Sequence, residues 1–186
     1  MSEIPHNLDA MVGENLRILT QAIGDICQRS TLAEASGGKL TSNQFSILRI
    51  LQRRSELTAS EFARILGVSS AAVTKIIDRL AAMDLIAREA HPTDRRSTAL
   101  VLQPAGRDLL QRHDLIASRK LTTILAGFSA EDKLRFLDFI QRVVRDTLSD
   151  EQDADVICYQ CGGRCGESCV LAHRDGTCSL NGTGGD

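Results

Sequence analysis

The sequence predicts a mainly α fold in which two short helices and a tight turn lead into a two-stranded hairpin, with long helices at either end. Three observations predict it. Apolar residues recur at three- and four-residue steps through residues 7–34 and again through 104–148. Between these stretches, hydroxyl residues followed three positions later by Gln or Glu mark helix starts. Residues 85–102 then change to two short strand-like runs around a polar, proline-containing connection.

Each element rests on its own residues. Leu8, Met11, Val12, Leu16, Leu19, Ile23 and Ile26 form one stripe of a first helix over 7–34, and Gly37-Gly38 ends it. Thr41-x-x-Gln44 reads as a capping box for a second helix with Phe45, Leu48 and Leu51 inward. Thr58-x-x-Glu61 opens a third through Leu66. Gly67 breaks it, and Ser69 caps a fourth from Ser70 to Met83. Leu85–Glu89 and Thr98–Leu102 are the two strands. Pro104 suits the first turn of a fifth helix reaching Ala126. Ser129-x-x-Asp132 starts a sixth, striped by Leu134, Leu137, Ile140, Val144 and Leu148.

The chain divides at Leu148. Residues 1–148 form the helical domain, with 58–102 as its helix-turn-helix and hairpin. Residues 149–186 are an acidic linker and a cysteine-rich tail. Residues 156–186 hold five Cys and seven Gly, too little apolar surface for a core of their own. No apolar run reaches the roughly 18 residues that span a bilayer, and the N-terminus lacks a signal-peptide pattern. The expected location is therefore cytoplasmic, with no membrane partner.

Net charge is −2, but its distribution is uneven. Residues 49–107 carry ten Lys/Arg against six Asp/Glu, while both flanks are acidic. Such a basic middle places positive charge where phosphates would sit. Aromatic residues make up 3% and Trp is absent, which argues against stacking-based recognition of single strands or RNA. No Ser/His/Asp arrangement, phosphate loop or paired-carboxylate motif supports an enzyme.

The helix pair predicts a reading surface. Phe62, Ala63 and Leu66 face inward, Val68 plugs the angle, and Val73, Ile76, Ile77 and Leu80 form the buried face of the second helix. Ser69, Ser70, Ala71, Thr74 and Lys75 are left outward near its N-terminus. Small and hydroxyl-bearing residues there let the helix end enter a major groove about 12 Å wide. Lys75 and Arg79 add phosphate or base contacts. Arg95 and Arg96, at the hairpin tip, are placed for an adjacent minor groove, with Asp94 bracing one of them. The bland alternative is a packed helix pair with a solvated turn. A rival of another class is a winged-helix module that docks proteins and never binds DNA.

Here the sequence resembles a known family. Leu57-Thr58-x3-Phe62-Ala63-x2-Leu66-Gly67-Val68-Ser69-x3-Val73-Thr74-x3-Asp78-Arg79-Leu80 is similar to the recognition unit of MarR-type regulators. So are Leu85-Ile86-x-Arg88 and Asp94-Arg95-Arg96-x3-Leu100-x-Leu102-x3-Gly106-Arg107. The resemblance covers about residues 8–148. It implies a winged helix-turn-helix with a two-stranded wing and long terminal dimerisation helices. It also implies a homodimer gripping a pseudo-palindromic double-stranded operator, and repression as the sign of control. Ser69 to Arg79 would then be the recognition helix, with Arg95 and Arg96 as wing contacts. Two departures are visible: Asp84 stands where the family often has Gly, and Gln103-Pro104 replaces a Thr-containing helix start.

The tail is not part of that pattern. Cys158-x2-Cys161-x3-Cys165-x3-Cys169-x8-Cys178 crowds five of six cysteines into the last 29 residues. In a reducing compartment this density points to metal or redox chemistry rather than disulfides. Cys158, Cys161, Cys165 and Cys169 suit one iron–sulfur cluster of the 4Fe-4S type, with zinc or a metal-free thiol switch as alternatives. Cys178 is the spare, and His173 is read as solvated. Cys27, on the first helix, is read as a buried small hydrophobe.

Overall fold

The computed structural model describes residues 7–53, 57–90, 98–148, 157–158, 161 and 169–171. Helix α1 (Leu8–Ala22) runs without a break into a π-helical segment (Ile23–Arg29) and then α2 (Ser30–Ser36). The single long helix expected over 7–34 is thus continuous to Ser36 but re-phased in the middle. A π turn carries an extra residue per turn and so rotates the face of the helix beyond it. Before it, α1 buries nothing within this chain; after it, Thr31, Leu32 and Ala35 of α2 are buried. Cys27 falls in the widened turn and is half-buried, not fully buried as the stripe suggested. Gly37 ends the run in the left-handed region (φ 61°).

The next three helices begin at the expected caps. In α3 (Ser42–Leu51) the Thr41 hydroxyl accepts from the Gln44 backbone N–H, and Gln44 Oε1 accepts from the Thr41 N–H at 2.8 Å. Thr58 and Glu61 do the same for α4 (Ala59–Leu66), with Glu61 Oε2 2.7 Å from the Thr58 N–H. Such a cap contributes about 1 kcal/mol. Gly67 (φ 64°) closes α4, and the Val68 N–H returns to the Ala63 carbonyl at 3.0 Å. That 6→1 bond requires a left-handed residue at Gly67, which a Cβ disfavours.

Helix α5 (Ser70–Ala82) ends in the same motif. Leu85 N–H reaches the Leu80 carbonyl at 3.1 Å and Asp84 N–H reaches that of Ala81 at 3.0 Å. Asp84 holds the left-handed position (φ 56°), which aspartate tolerates better than most residues. Strands β1 (Ile86–Ala90) and β2 (Thr98–Leu102) pair antiparallel, with Ile86 opposite Leu102 and Arg88 opposite Leu100. The long α6 (Pro104–Ile124) starts with proline in its first turn, and α7 (Ala130–Thr147) starts at the Ser129/Asp132 capping box. Gln103 caps α6 without its side chain; its backbone N–H donates to Leu85 O at 3.0 Å.

One core joins these elements. Ile47, Leu48 and Ile50 of α3 meet Phe62 of α4, Val73, Ile77 and Leu80 of α5, and Leu100 and Leu110 from β2 and α6. Lys120 ties α6 to α2 through Glu34 (3.1 Å) and the Ser30 hydroxyl (3.0 Å). Helices α1 and α7 stand apart from this core. They bury nothing in the single chain, and Leu16, Ile18, Leu134, Phe136, Phe139 and Val143 are all exposed. Among the described residues no helix is long and apolar enough to cross a membrane.

Candidate nucleic-acid interface

Helices α4 and α5 and the turn between them present one face to the core and the other to solvent. Phe62, Val73 and Leu80 are fully buried, Ile65 and Ile77 nearly so, and Leu66, Val68 and Ile76 are partly buried against them. Anchoring five apolar side chains at about 1.5–3 kcal/mol each holds α5 rigidly at its angle to α4. Ile65 was missed as a core residue, because a four-residue helical step from Glu61 places it beside Phe62 rather than on the Leu66 stripe. On the opposite face Ser69, Ser70, Ala71, Thr74, Lys75 and Arg79 are all exposed. The Ser69 hydroxyl accepts from the Ala72 N–H at 3.2 Å, so this serine is first of all a cap. The Thr74 hydroxyl donates to the Ser70 carbonyl at 3.1 Å and keeps its oxygen lone pairs outward. The N-terminal N–H groups and dipole of α5 therefore project into solvent beside Lys75, a setting that favours phosphate.

The hairpin is braced against this helix. Arg88 of β1 donates to Asp78 of α5 at 2.7 Å, with both side chains about half exposed. An exposed pair of this kind contributes about 0–1 kcal/mol, so its effect is to orient the hairpin rather than to hold the fold. It also consumes the one carboxylate among residues 69–80, leaving Lys75 and Arg79 to set the charge of the outer face. The tip residues Asp94, Arg95 and Arg96 lie outside the described residues.

Residues 40–98, from the start of α3 to the start of β2, match the family model described as the MarR family. The uncharacterized HTH-type transcriptional regulator YpoP of Bacillus subtilis (strain 168) is 32% identical over 119 residues, 58% of this chain and 84% of the relative. The chain belongs to the MarR family. Solved structures agree on the winged-helix fold. RV1404 from Mycobacterium tuberculosis superposes with a TM-score of 0.66 at 20% identity, covering 81% of this chain and all of that one. An S. aureus MepR mutant bound to an oligodeoxyribonucleotide gives 0.54 at 18% identity, covering 72% of this chain and 98% of that one. The family model ends before α6, and the cysteine tail lies beyond it.

One cluster, joining Arg49 of the family-matched span to α6 beyond it, was not anticipated from sequence. Arg49 of α3 is buried (3% exposed) between two core residues, Leu48 and Ile50. Both of its terminal nitrogens engage Asp114 of α6, Nη1 at 2.9 Å from Oδ2 and Nη2 against Oδ1. Nη1 also reaches Gln52 Oε1 at 3.3 Å, and His113 Nδ1 lies 3.4 Å from Nη2. The guanidinium sits 5.1 Å from the Phe45 ring centroid, and that ring is tilted against His113. Burial pushes the Arg49 guanidinium below its ordinary value, and the nearby Cys161 opposes this by favouring the charged form. The signal for this cluster was legible: Ile47-Leu48-Arg49-Ile50-Leu51 sets a lone cation inside an apolar run.

Of the four cysteines expected to bind metal, three are described. Cys158 is buried, Cys169 half-buried and Cys161 exposed. Cys165 lies outside the described residues, as do Cys178 and His173. Among the described residues no group of three or more His, Cys, Asp or Glu is drawn together as a metal site.

Proposed function

We propose that this protein is a homodimeric transcriptional repressor that grips double-stranded DNA with α5 in the major groove and Arg95/Arg96 of the wing in the minor groove. The outer face of α5 carries the reading. Ser70, Ala71, Thr74, Lys75 and Arg79 are exposed on a helix whose other face is locked into the core, and residues 69–77 contain no acid. A protein-docking module would have no reason to keep acids off that face. The MepR relative in fold is seen with an oligodeoxyribonucleotide, which supports the same use of the unit here. A second copy of the chain is the partner that the apolar faces of α1 and α7 suit, since exposed apolar surface of this extent marks an interface. The cysteine tail is read as the sensing part. Cys158, Cys161, Cys165 and Cys169 would hold one thiolate-ligated centre, iron–sulfur with zinc as the alternative, whose loss changes operator affinity.

The test is a DNA titration at one fixed salt concentration, because phosphate contacts are salt-dependent. The Arg95→Ala/Arg96→Ala double variant should lose about 1–3 kcal/mol of operator affinity per good contact removed, with the fold intact. Unchanged affinity would refute the wing assignment. Metal-loaded protein, metal-free protein and a chain ending at Leu148 should differ about 5- to 150-fold in affinity. Equal affinity in all three would remove the sensing role and leave the regulator.

A further inference from the structure

A buried ion pair joins the reading head to the helix that leaves it. Arg49 of α3 is 3% exposed and holds Asp114 of α6 with both terminal nitrogens. Its sequence neighbours Leu48 and Ile50 are packed in the core with Phe62 of α4 and Val73 and Ile77 of α5, so the guanidinium is fixed relative to the recognition helix. Asp114 lies one turn past Leu110, the last residue of α6 buried in the single chain. Beyond it Leu115, Leu121 and Ile124 are half exposed. The pair thus sits where α6 passes from the head to the apolar surface suited to a second copy. Stability does not explain it, because an ion pair taken out of water repays its desolvation poorly, and an apolar pair of similar volume often does as well. What two parallel N–H···O bonds add is a defined angle between the helices that carry them.

We propose that Arg49 and Asp114 are positioning residues for DNA recognition: they set the angle of α6 to the reading head, and thereby the separation of the two recognition helices in the dimer. The inference rests on the reading of the protein as a dimer that grips two half-sites. The lever is long enough to matter. From Asp114 to Ile124 the helix runs about 15 Å at 1.5 Å per residue. A change of about 10° at Asp114 therefore moves the far end by roughly 2.6 Å, and two lobes together by up to about 5 Å, against a rise of about 3.4 Å per base pair. The charged tie farther along α6, from Lys120 to Glu34, does not replace the pair: the Glu34 side chain is 57% exposed, and such surface pairs are weak. Neither Arg49 nor Asp114 belongs to the outer face of α5 or to the wing, so their effect on DNA is through geometry alone.

The experiment compares full-length chains on duplexes of different half-site spacing. Wild-type protein first selects a duplex from a randomised pool. Versions with one base pair inserted or removed between its half-sites are then titrated at the same fixed salt concentration. Wild type should bind the selected spacing on the order of tenfold or more tighter than either altered one, because a rigid dimer must twist or bend the DNA to fit. Arg49→Met combined with Asp114→Leu removes both charges together, so neither is left buried alone. This variant should fold, sediment as a dimer and keep a urea midpoint close to that of wild type, while its preference for the selected spacing shrinks several-fold. A preference as steep as wild type's in the folded variant overturns the proposal. So does a loss of affinity that is equal at every spacing, which is what a merely structural role would give. Should the double variant fail to fold, Asp114→Glu keeps the charge and lengthens the tie by one methylene. Its preference should flatten or move to a different spacing, and an unchanged preference there counts against the proposal in the same way. Wild-type binding with no dependence on spacing likewise removes the positioning role and leaves DNA binding intact. A pool that yields no duplex at all refutes the DNA-binding reading itself, and the positioning role falls with it.

Discussion

Replacing Gly106 with alanine tests how the wing is fastened to the long α6. An alanine Cβ at this position would lie 2.4 Å from the Leu85 carbonyl oxygen and 2.8 Å from Leu102 Cδ1. Carbon–oxygen contacts between packed backbones settle near 3.3–3.6 Å, so the first is short by about 1 Å. The Leu102 methyl can rotate away. Leu85 O cannot, because it accepts the Gln103 N–H at 3.0 Å and its own residue is held by the bond to Leu80. Either α6 shifts off β1 or the Gln103 bond breaks. Overpacking of this kind costs about 1–3 kcal/mol, and the lost hydrogen bond about 1 more. Alanine's helix propensity returns up to about 1 kcal/mol. The net expectation is a loss of about 1–3 kcal/mol, seen as a lower urea midpoint with an unchanged slope. Far-UV circular dichroism at fixed protein concentration measures it, since a dimer's stability depends on concentration. A Gly106→Ala chain as stable as wild type would refute the close-approach argument and the stitching of β1 to α6.

The left-handed caps at Gly67 and Asp84 should respond with opposite signs. Gly67→Ala forces a Cβ into φ 64° and should cost about 1–2 kcal/mol, whereas Asp84→Gly at φ 56° should gain up to about 1 kcal/mol; urea melts that fail to separate the pair would contradict the backbone assignment. The proposed dimer is best tested by charge on α7 rather than by deleting residues 1–34, because that deletion also removes the core residue Leu32. Leu137→Glu combined with Ile140→Glu should yield a folded monomer in analytical ultracentrifugation, as both side chains are about 40% exposed in the single chain. A dimer of unchanged affinity would exclude that face.

Much of this protein was legible in its sequence because the signals are local. A hydroxyl three residues before Gln, Glu or Asp satisfies the orphan N–H groups of a helix end wherever it occurs, so Thr41, Thr58 and Ser129 marked true starts. Gly37 and Gly67 marked true ends because the left-handed turn that closes a helix C-terminus disfavours a Cβ. The outward set on α5 came from periodicity, since a helix with Val73, Ile77 and Leu80 buried has no choice about where Ser70, Thr74 and Lys75 point. The change of period from 3.6 to 2 gave the second strand as Thr98–Leu102, and set the first one residue too early, at Leu85–Glu89 against the observed Ile86–Ala90, because Leu85 is still occupied with closing α5 through its bond to Leu80.

Tertiary structure decided what depends on atoms distant in sequence. Periodicity over residues 7–34 could not show the π turn, because a re-phased stripe still looks apolar; only packing against α6 distinguishes α2, which is buried, from α1, which is not. The departure at Asp84 became intelligible only as a left-handed cap, and Gly106 only as the place where α6 touches the Leu85 carbonyl. Arg49 was visible as an oddity in an apolar run, but its partner is 65 residues away. Local sequence sets where helices begin, end and turn their faces, because capping and periodicity act within a few residues. Which faces meet is set by close packing and by the need to pair a buried charge, and those are properties of the folded chain alone.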